Sequence, residues 1–420
     1  MRRYSMMETW LGKALFGAFL FAMLLLARDT LTTSSVLGFE KSQFLGLGIL
    51  CAFGLIFLLI NHKSLKQMIL DRRMAAMLVT AVVIVLPMLV KRDWQLMYFT
   101  ILLCPLTAIF LSYFTGVAQT ARFYVGILCV LCVHSLVTLF VLRDMALAQK
   151  ISLPGFQNPS GWWFYNCGLS YPLGWEGWYR NFGIFREPGV YQFFIILALY
   201  LNHYKAHWKN HAVLWLCSGI LVVTMVSTFA IGGMLELVLF AFFLYFDKGW
   251  HKTPLGRTLG IVAAVIAAAA VAFVVYNVLQ PGAEGTFWFF FMDLYLRLFT
   301  GSASLLDRLD AIYTSAGAFL RNPIFGSALA EVLHGTNHNT SSTLILYAVL
   351  GVVGGSLNVA AWVALAWEKR RCIFGNLVLL VILFMSFNTE NLVADVFFWL
   401  FPYMALVETV LPKISLGRKA

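Results

Sequence analysis

The segment Gly183-Ile-Phe-Arg-Glu-Pro-Gly-Val-Tyr191 sets an arginine and a carboxylate, Arg186 and Glu187, just ahead of an apolar run from Val190 to Leu201. A guanidinium presents a fork of N–H donors that matches phosphate oxygens. A helix N-terminus favours the same anions. A carboxylate beside it can orient a hydroxyl or take its proton. Pro188 and Gly189 suit a turn that opens a helix. Related side chains lie nearby and in a second stretch: Arg180 before the segment, then Arg297, Asp307, Arg308, Asp310, Arg321, Glu331, His334 and His338. If the helices that follow these two stretches start side by side, Arg, Glu and His converge. Arg186, Glu187, Arg308 and His338 are the first candidates, with Arg180 and Arg321 behind them.

Aromatic residues crowd the first stretch, among them Trp162, Trp163, Trp175, Trp178 and Tyr179. Two readings stay open. They form an interfacial belt, or some of them, Trp178 included, stack on the apolar faces of sugar rings. His334 and His338 have the i,i+4 spacing of a metal pair, but the Glu of HExxH is absent and Gly335 disfavours a helix, so no metal is expected. No other cofactor is implied. His203, His207 and His211 alternate with Lys205 and Lys209 and read as a wet basic loop. Cys129 and Cys132 read as small buried hydrophobes, and His134 as a neutral imidazole bonded to a neighbouring helix. Glu236 is an anomaly: a carboxylate inside an apolar run needs a partner, a proton or water. Glu390 and Asp395 sit near an outer edge and read as solvated.

The elements that must position these residues follow from composition. Of 420 residues, 61% are hydrophobic and 12% charged, which marks an integral membrane protein. Twelve apolar runs read as spans, at 10–27, 43–60, 74–90, 94–114, 121–142, 189–202, 212–230, 232–246, 257–278, 342–366, 372–388 and 392–411, the sixth and eighth of them short. With both termini in the cytoplasm, most Lys and Arg of the short loops fall inside. The net charge of +11 is therefore a topology signal, and nucleic acid is not an expected partner. Met1-Arg-Arg with 10–27 reads as the first anchor, since Ala27-Arg28-Asp29 is a poor cleavage site. The fold expected is an all-α polytopic membrane protein, one domain over 1–420, with two long external loops at 143–188 and 279–341 that carry short helices. In the second loop, 286–299 reads as an interfacial helix. Residues 305–320 read as an amphipathic one, with Ser304 at its capping start and Asn322-Pro323 as its stop.

Three stretches in order, 181–201, 222–235 and 308–355, resemble the O-antigen polymerase/ligase superfamily, closest to the Wzy-type polysaccharide repeat-unit polymerases. The G-x-F-R-E-P-G-x-Y segment, the N-P-x-x-G turn at 322–326 and the H-N-x-x-x run before a Gly-rich helix carry the likeness. The resemblance implies a GT-C-like, metal-independent glycosyltransferase of the bacterial inner membrane, with its site facing the periplasm. It would move an oligosaccharide from undecaprenyl pyrophosphate onto a sugar hydroxyl in O-antigen, capsule or exopolysaccharide synthesis. Arg186, Arg308, Arg180 and Arg321 would hold the pyrophosphate, and Glu187 and His338 would act on the hydroxyl. Membrane lipid, chain-length regulator and export proteins would be its partners. The ligase branch is associated with R-x3-L and H-x10-G. Here Ile312 follows Arg308 four residues on and twelve residues separate His338 from Gly351, which puts polymerase ahead of ligase. A lipid-linked oligosaccharide flippase or other transporter is the rival of a different class.

Overall fold

The computed structural model describes residues 9–27, 30, 39–61, 65–142, 149–150, 163–166, 170, 172–175, 178–185, 187–258, 260–262, 265, 303–333, 341–388 and 390–410. The described chain is mostly helical. In order it forms α1 (Trp10–Leu25), α2 (Phe39–Ile60), α3 (Leu65–Ile69), α4 (Arg72–Lys91), α5 (Leu96–Leu111) and α6 (Val117–Val137), the last continued by a π-turn at Thr138–Leu142. Four short strands follow: β1 (Gln149–Lys150), β2 (Trp163–Asn166), β3 (Pro172–Trp175) and β4 (Trp178–Asn181). Then come α7 (Pro188–Tyr204), α8 (His211–Ser227), α9 (Ile231–Asp247), α10 (Ala303–Arg321), α11 (Leu329–Leu333), α12 (Ser342–Ala366), α13 (Ile373–Asn388) and α14 (Val396–Val410).

Apolar runs become helices because a helix satisfies its own backbone where water is absent. Four are long and apolar enough to cross a membrane: Lys41–Ile60, Arg72–Lys91, Val117–Val141 and Ser342–Ala366. The apolar helices α1, α5, α8, α13 and α14 are shorter. A helix of 16 residues such as α1 is about 24 Å long, less than the roughly 30 Å of a bilayer core. Large apolar side chains face outward along these helices, for example Leu78, Val79 and Val82 on α4 and Val238 and Phe242 on α9. Outward apolar surface on this scale marks a membrane-associated protein.

Contacts between helix ends sort the bundle into two ends. At one end, Arg73 at the start of α4 reaches the Ser112 carbonyl after α5 (2.7 Å). Arg122 near the start of α6 reaches the Ala206 and His207 carbonyls after α7 (2.5 and 3.0 Å). Arg371 after α12 pairs with Asp247 at the end of α9 (2.8 Å). At the opposite end, a bridge joins Thr30, after α1, to Phe185, before α7. There the starts of α7 and α12 also meet the turn between α13 and α14.

The structure corrects several expectations. The described part of the first long loop forms an antiparallel meander, β1-β2-β3-β4, and no helix. Aromatic side chains separated by Gly and Pro suit hairpins. In the second loop the helix starts at Ala303, so Ser304 lies inside it. The helix ends at Arg321, as Asn322-Pro323 requires, and the following turn carries the short helix α11. The last span begins at Val396 rather than 392, because the Asp395 carboxylate accepts from the Phe397 N–H and caps it (2.8 Å). The expected interfacial helix at 286–299 and most of the span at 257–278 lie outside the described residues.

Candidate functional site

The two helix starts are joined through the turn Asn388–Asp395. At the start of α12 the Ser341 hydroxyl donates to Asn388 Oδ1 (3.0 Å), which also accepts from the Thr343 N–H (3.0 Å). The Ser342 hydroxyl donates to the Glu390 carbonyl (2.7 Å) and accepts from the Leu392 N–H (2.8 Å). At the start of α7, the Glu390 carboxylate lies so close to Gly189 that a Cβ there would overlap it. Pro188 occupies the first helical position of α7, where its missing N–H costs nothing.

Beneath this turn the space between α7, α9 and α13 is polar. Gln192 is 4% exposed and lies against Gly233, where a Cβ would come within 2.5 Å of its Cδ. One turn further along α9, Glu236 is 1% exposed and lies beside Ser386 of α13. Gln192 Nε2 and Glu236 Oε2 have no hydrogen-bond partner among the described residues. Gln192 lies about 6 Å below the start of α7, at 1.5 Å per residue.

The approach to the site is pinned by Asn181 at the end of β4. Its amide donates to the hydroxyls of Ser135 (3.0 Å) and Ser227 (2.9 Å), and its oxygen accepts from the Gly183 N–H (2.9 Å). Gly183 has φ +56°, and a Cβ on it would clash with the Tyr191 ring; glycine fits here for both reasons. The Tyr191 hydroxyl donates to Cys132 Sγ (3.3 Å).

Of the residues singled out from sequence, Glu187 stands exposed at the entrance to α7. Arg180 is half-buried, and its guanidinium donates to the carbonyls of Thr228 (3.1 Å) and Phe229 (3.2 Å), so it ties β4 to the α8–α9 turn. Trp178 lies in β4, paired with Trp175. Arg308 lies on α10, and Arg321 is exposed at its end. The turn after Arg321 meets α12 near Gly351, about 13.5 Å along that helix from Ser342, which sets Arg321 away from the start of α12. Arg186 and His338 lie outside the described residues.

Sequence reasoning read Glu390 and Asp395 as solvated, yet they are 6% and 2% exposed. Each is turned inward, one against Gly189 and one onto a helix cap. The signal lay in Asn388-Thr-Glu-Asn391, a polar run too short for a loop that wanders into solvent. His203, read as part of a wet loop, is in the last turn of α7, its Nε2 bonded to the Ser218 hydroxyl (2.9 Å). His134 bonds Ser170 of the first loop (2.9 Å) instead of a neighbouring helix, and lies near the end of α6 rather than its middle. Among the described residues no cluster of three or more His, Cys, Asp or Glu is placed to hold a metal ion. The chain matches no family model, no curated protein and no solved structure in the comparisons made.

Proposed function

We propose that this protein is a lipid-linked glycosyltransferase that polymerises oligosaccharide repeat units. Its donor is an oligosaccharide on undecaprenyl pyrophosphate, and its acceptor is a sugar hydroxyl. The observation that carries the reading is the junction of the α7 and α12 starts across Asn388–Asp395. It gathers Glu187 and Glu390 at the mouth that the Arg-Glu-Pro-Gly segment opens. In this reading the chain makes about twelve spans in a bacterial inner membrane, with both termini in the cytoplasm and the mouth facing the periplasm. The bundle end rich in Arg73, Arg122, Lys205 and Arg371 is the cytoplasmic one, as the positive-inside rule asks.

Arg186, with Arg308 from the second loop, neutralises the departing pyrophosphate. Such donors stabilise developing charge by about 3–4 kcal/mol each. Glu187 and His338 act on the attacking hydroxyl. Chain-length regulator and export proteins are its partners, and neither metal nor cofactor enters the reaction.

A transporter is the second reading, favoured by the break in α12 at Gly351 (φ +69°), since broken helices form ion and substrate sites in transporters. Here the break is filled by the chain's own groups. The Ala348 carbonyl accepts from the Ser327 N–H (2.7 Å), and the Val349 carbonyl accepts from Lys91. The deciding experiment supplies purified protein in liposomes with a lipid-linked repeat unit. A ladder of longer chains supports polymerisation, and movement of the unchanged unit across the bilayer supports transport.

A further inference from the structure

Glu236 is a carboxylate that the proposed reaction does not use. It sits in the apolar helix α9, is 1% exposed, and its Oε2 has no hydrogen-bond partner among the described residues. A carboxylate in the interior of a membrane needs a cation, a proton or water. No Lys or Arg stands in α7, α8, α9 or α13. The titratable groups of the elements packed on α9 are engaged elsewhere. On α7, the hydroxyls of Tyr191, Tyr200 and Tyr204 donate to Cys132, the Leu365 carbonyl and Asp247. His203 packs on Phe240, one turn further along α9, with its Nε2 on the Ser218 hydroxyl. On α8, His211 stands at the far end and Cys217 faces Cys129. Helix α13 brings no titratable residue. Asp247 of α9, with Lys248, His251 and Lys252 after it, lies about 16 Å or more along the axis.

Gln192 supplies a second, independent observation. It is 4% exposed, and its amide is turned onto α9, where a Cβ at Gly233 would lie 2.8 Å from Nε2. That Nε2 also has no partner among the described residues. Positions 233 and 236 share one helix face, with Cβ positions about 5–6 Å apart. An unpaired donor and an unpaired acceptor at this spacing are the complement of one water molecule, which accepts from Nε2 and donates to Oε2. The Ser386 hydroxyl stands beside the same carboxylate. A metal cation fits less well, because it asks for oxygens alone and Nε2 faces the space with its hydrogens.

We propose that Glu236 is an intramembrane proton-binding site, reached from the start of α7 past Gln192. Gln192 lies one turn below that start, and Glu236 is one turn deeper along α9. The amide does not titrate; it holds the water through which the proton arrives. The proton passes from water to Glu236 Oε2 and returns the same way, so only O–H bonds form and break. The site places an exchangeable charge at the interface of α7, α9 and α13, and it stands independently of glycosyl transfer.

The test uses the full-length protein in liposomes, with protons as the ligand and dicyclohexylcarbodiimide, which attacks protonated carboxyls in apolar surroundings, as the probe. Infrared difference spectra between acidic and alkaline buffer are compared for wild type, Glu236→Gln and Gln192→Leu. Wild type is expected to gain the carbonyl stretch of a protonated carboxyl on acidification, a band lost in Glu236→Gln. Mass spectrometry is expected to find the carbodiimide adduct on Glu236, falling as pH rises. Gln192→Leu is expected to slow deuterium exchange of that carboxyl. A Glu236 that stays unlabelled at every pH, or whose labelling does not change with pH, overturns the inference. Labelling suppressed at fixed pH by sodium chloride but not by choline chloride overturns it in favour of a sodium site. The labelling is read on wild type, so it decides the matter even where Glu236→Gln does not fold. No glycan enters the experiment, so its failure is distinct from a failure of the transfer reaction.

Discussion

Asn181 bonds two helices and its own turn at once, through Ser135, Ser227 and the Gly183 N–H. Removing it leaves the Gly183 N–H without this acceptor and takes one bond from each hydroxyl, which keep their bonds to the Cys132 and Thr224 carbonyls, at a cost of about 1–3 kcal/mol. Asn181→Ala is expected to lower the unfolding midpoint in detergent and to loosen the approach to α7. At the opposite end, Asp71 makes two charge-assisted bonds to Arg73 (3.1 and 2.7 Å). Burial works against ionising Asp71, but the hydrogen bonds and charge of Arg73 outweigh it, so its carboxyl lies below the usual range. The folded protein thus binds this proton less readily than the unfolded chain does. The pair stabilises above the ordinary carboxyl pKa of about 4 and loses that contribution as pH falls through its lowered folded value. Asp71→Asn is expected to lower the unfolding midpoint near neutral pH and to change it little once the pH has fallen below the carboxyl's lowered folded value. Residue chemistry was legible in sequence where a side chain does what its type suggests, as with the buried Cys132. It was not legible for Arg180, whose fork is spent on two carbonyls, or for Glu390. Both depend on contacts more than forty residues apart in sequence.

Helix α12 is interrupted where the N-P-x-x-G turn enters it. The Val352 N–H donates to the Pro323 carbonyl (2.8 Å), and any Cβ on Gly351 would overlap the Ile324 backbone. Lys91 at the end of α4 donates to the Tyr98 hydroxyl (2.7 Å) and to the carbonyls of Ser327 (2.9 Å) and Val349. Asp93 accepts from the Leu329 N–H at the start of α11 (2.7 Å). The second loop is thus latched to the bundle by the α4–α5 connection. Lys91→Met removes three bonds from buried acceptors. It is expected to speed proteolysis of the 322–333 segment while leaving the helices folded. Gly351→Ala faces both the strained φ and the overlap, and is expected to abolish stable expression. The helices themselves were legible because apolar runs of this length have few alternatives in a membrane. The stop at Asn322-Pro323 was legible from proline chemistry. The break at Gly351 was not, because a glycine within an apolar helix carries no sign of the turn that will enter beside it.

The alternation of helix ends gives the whole molecule two faces, one holding the Arg73, Arg122 and Arg371 contacts and the other the junction of α7 and α12. Single cysteines placed by Asn210→Cys and Glu187→Cys are expected to react with membrane-impermeant thiol reagents from opposite sides. Charge asymmetry is the ground for expecting the Arg73, Arg122 and Arg371 face in the cytoplasm, whereas the meander of the first loop was hidden behind its aromatic content. The central claim is that the mouth at the start of α7 transfers lipid-linked glycan, and its most direct test is the chain-length ladder of cells carrying Arg186→Ala, with membrane expression confirmed. The account predicts collapse to a single repeat unit. An unchanged ladder would contradict it.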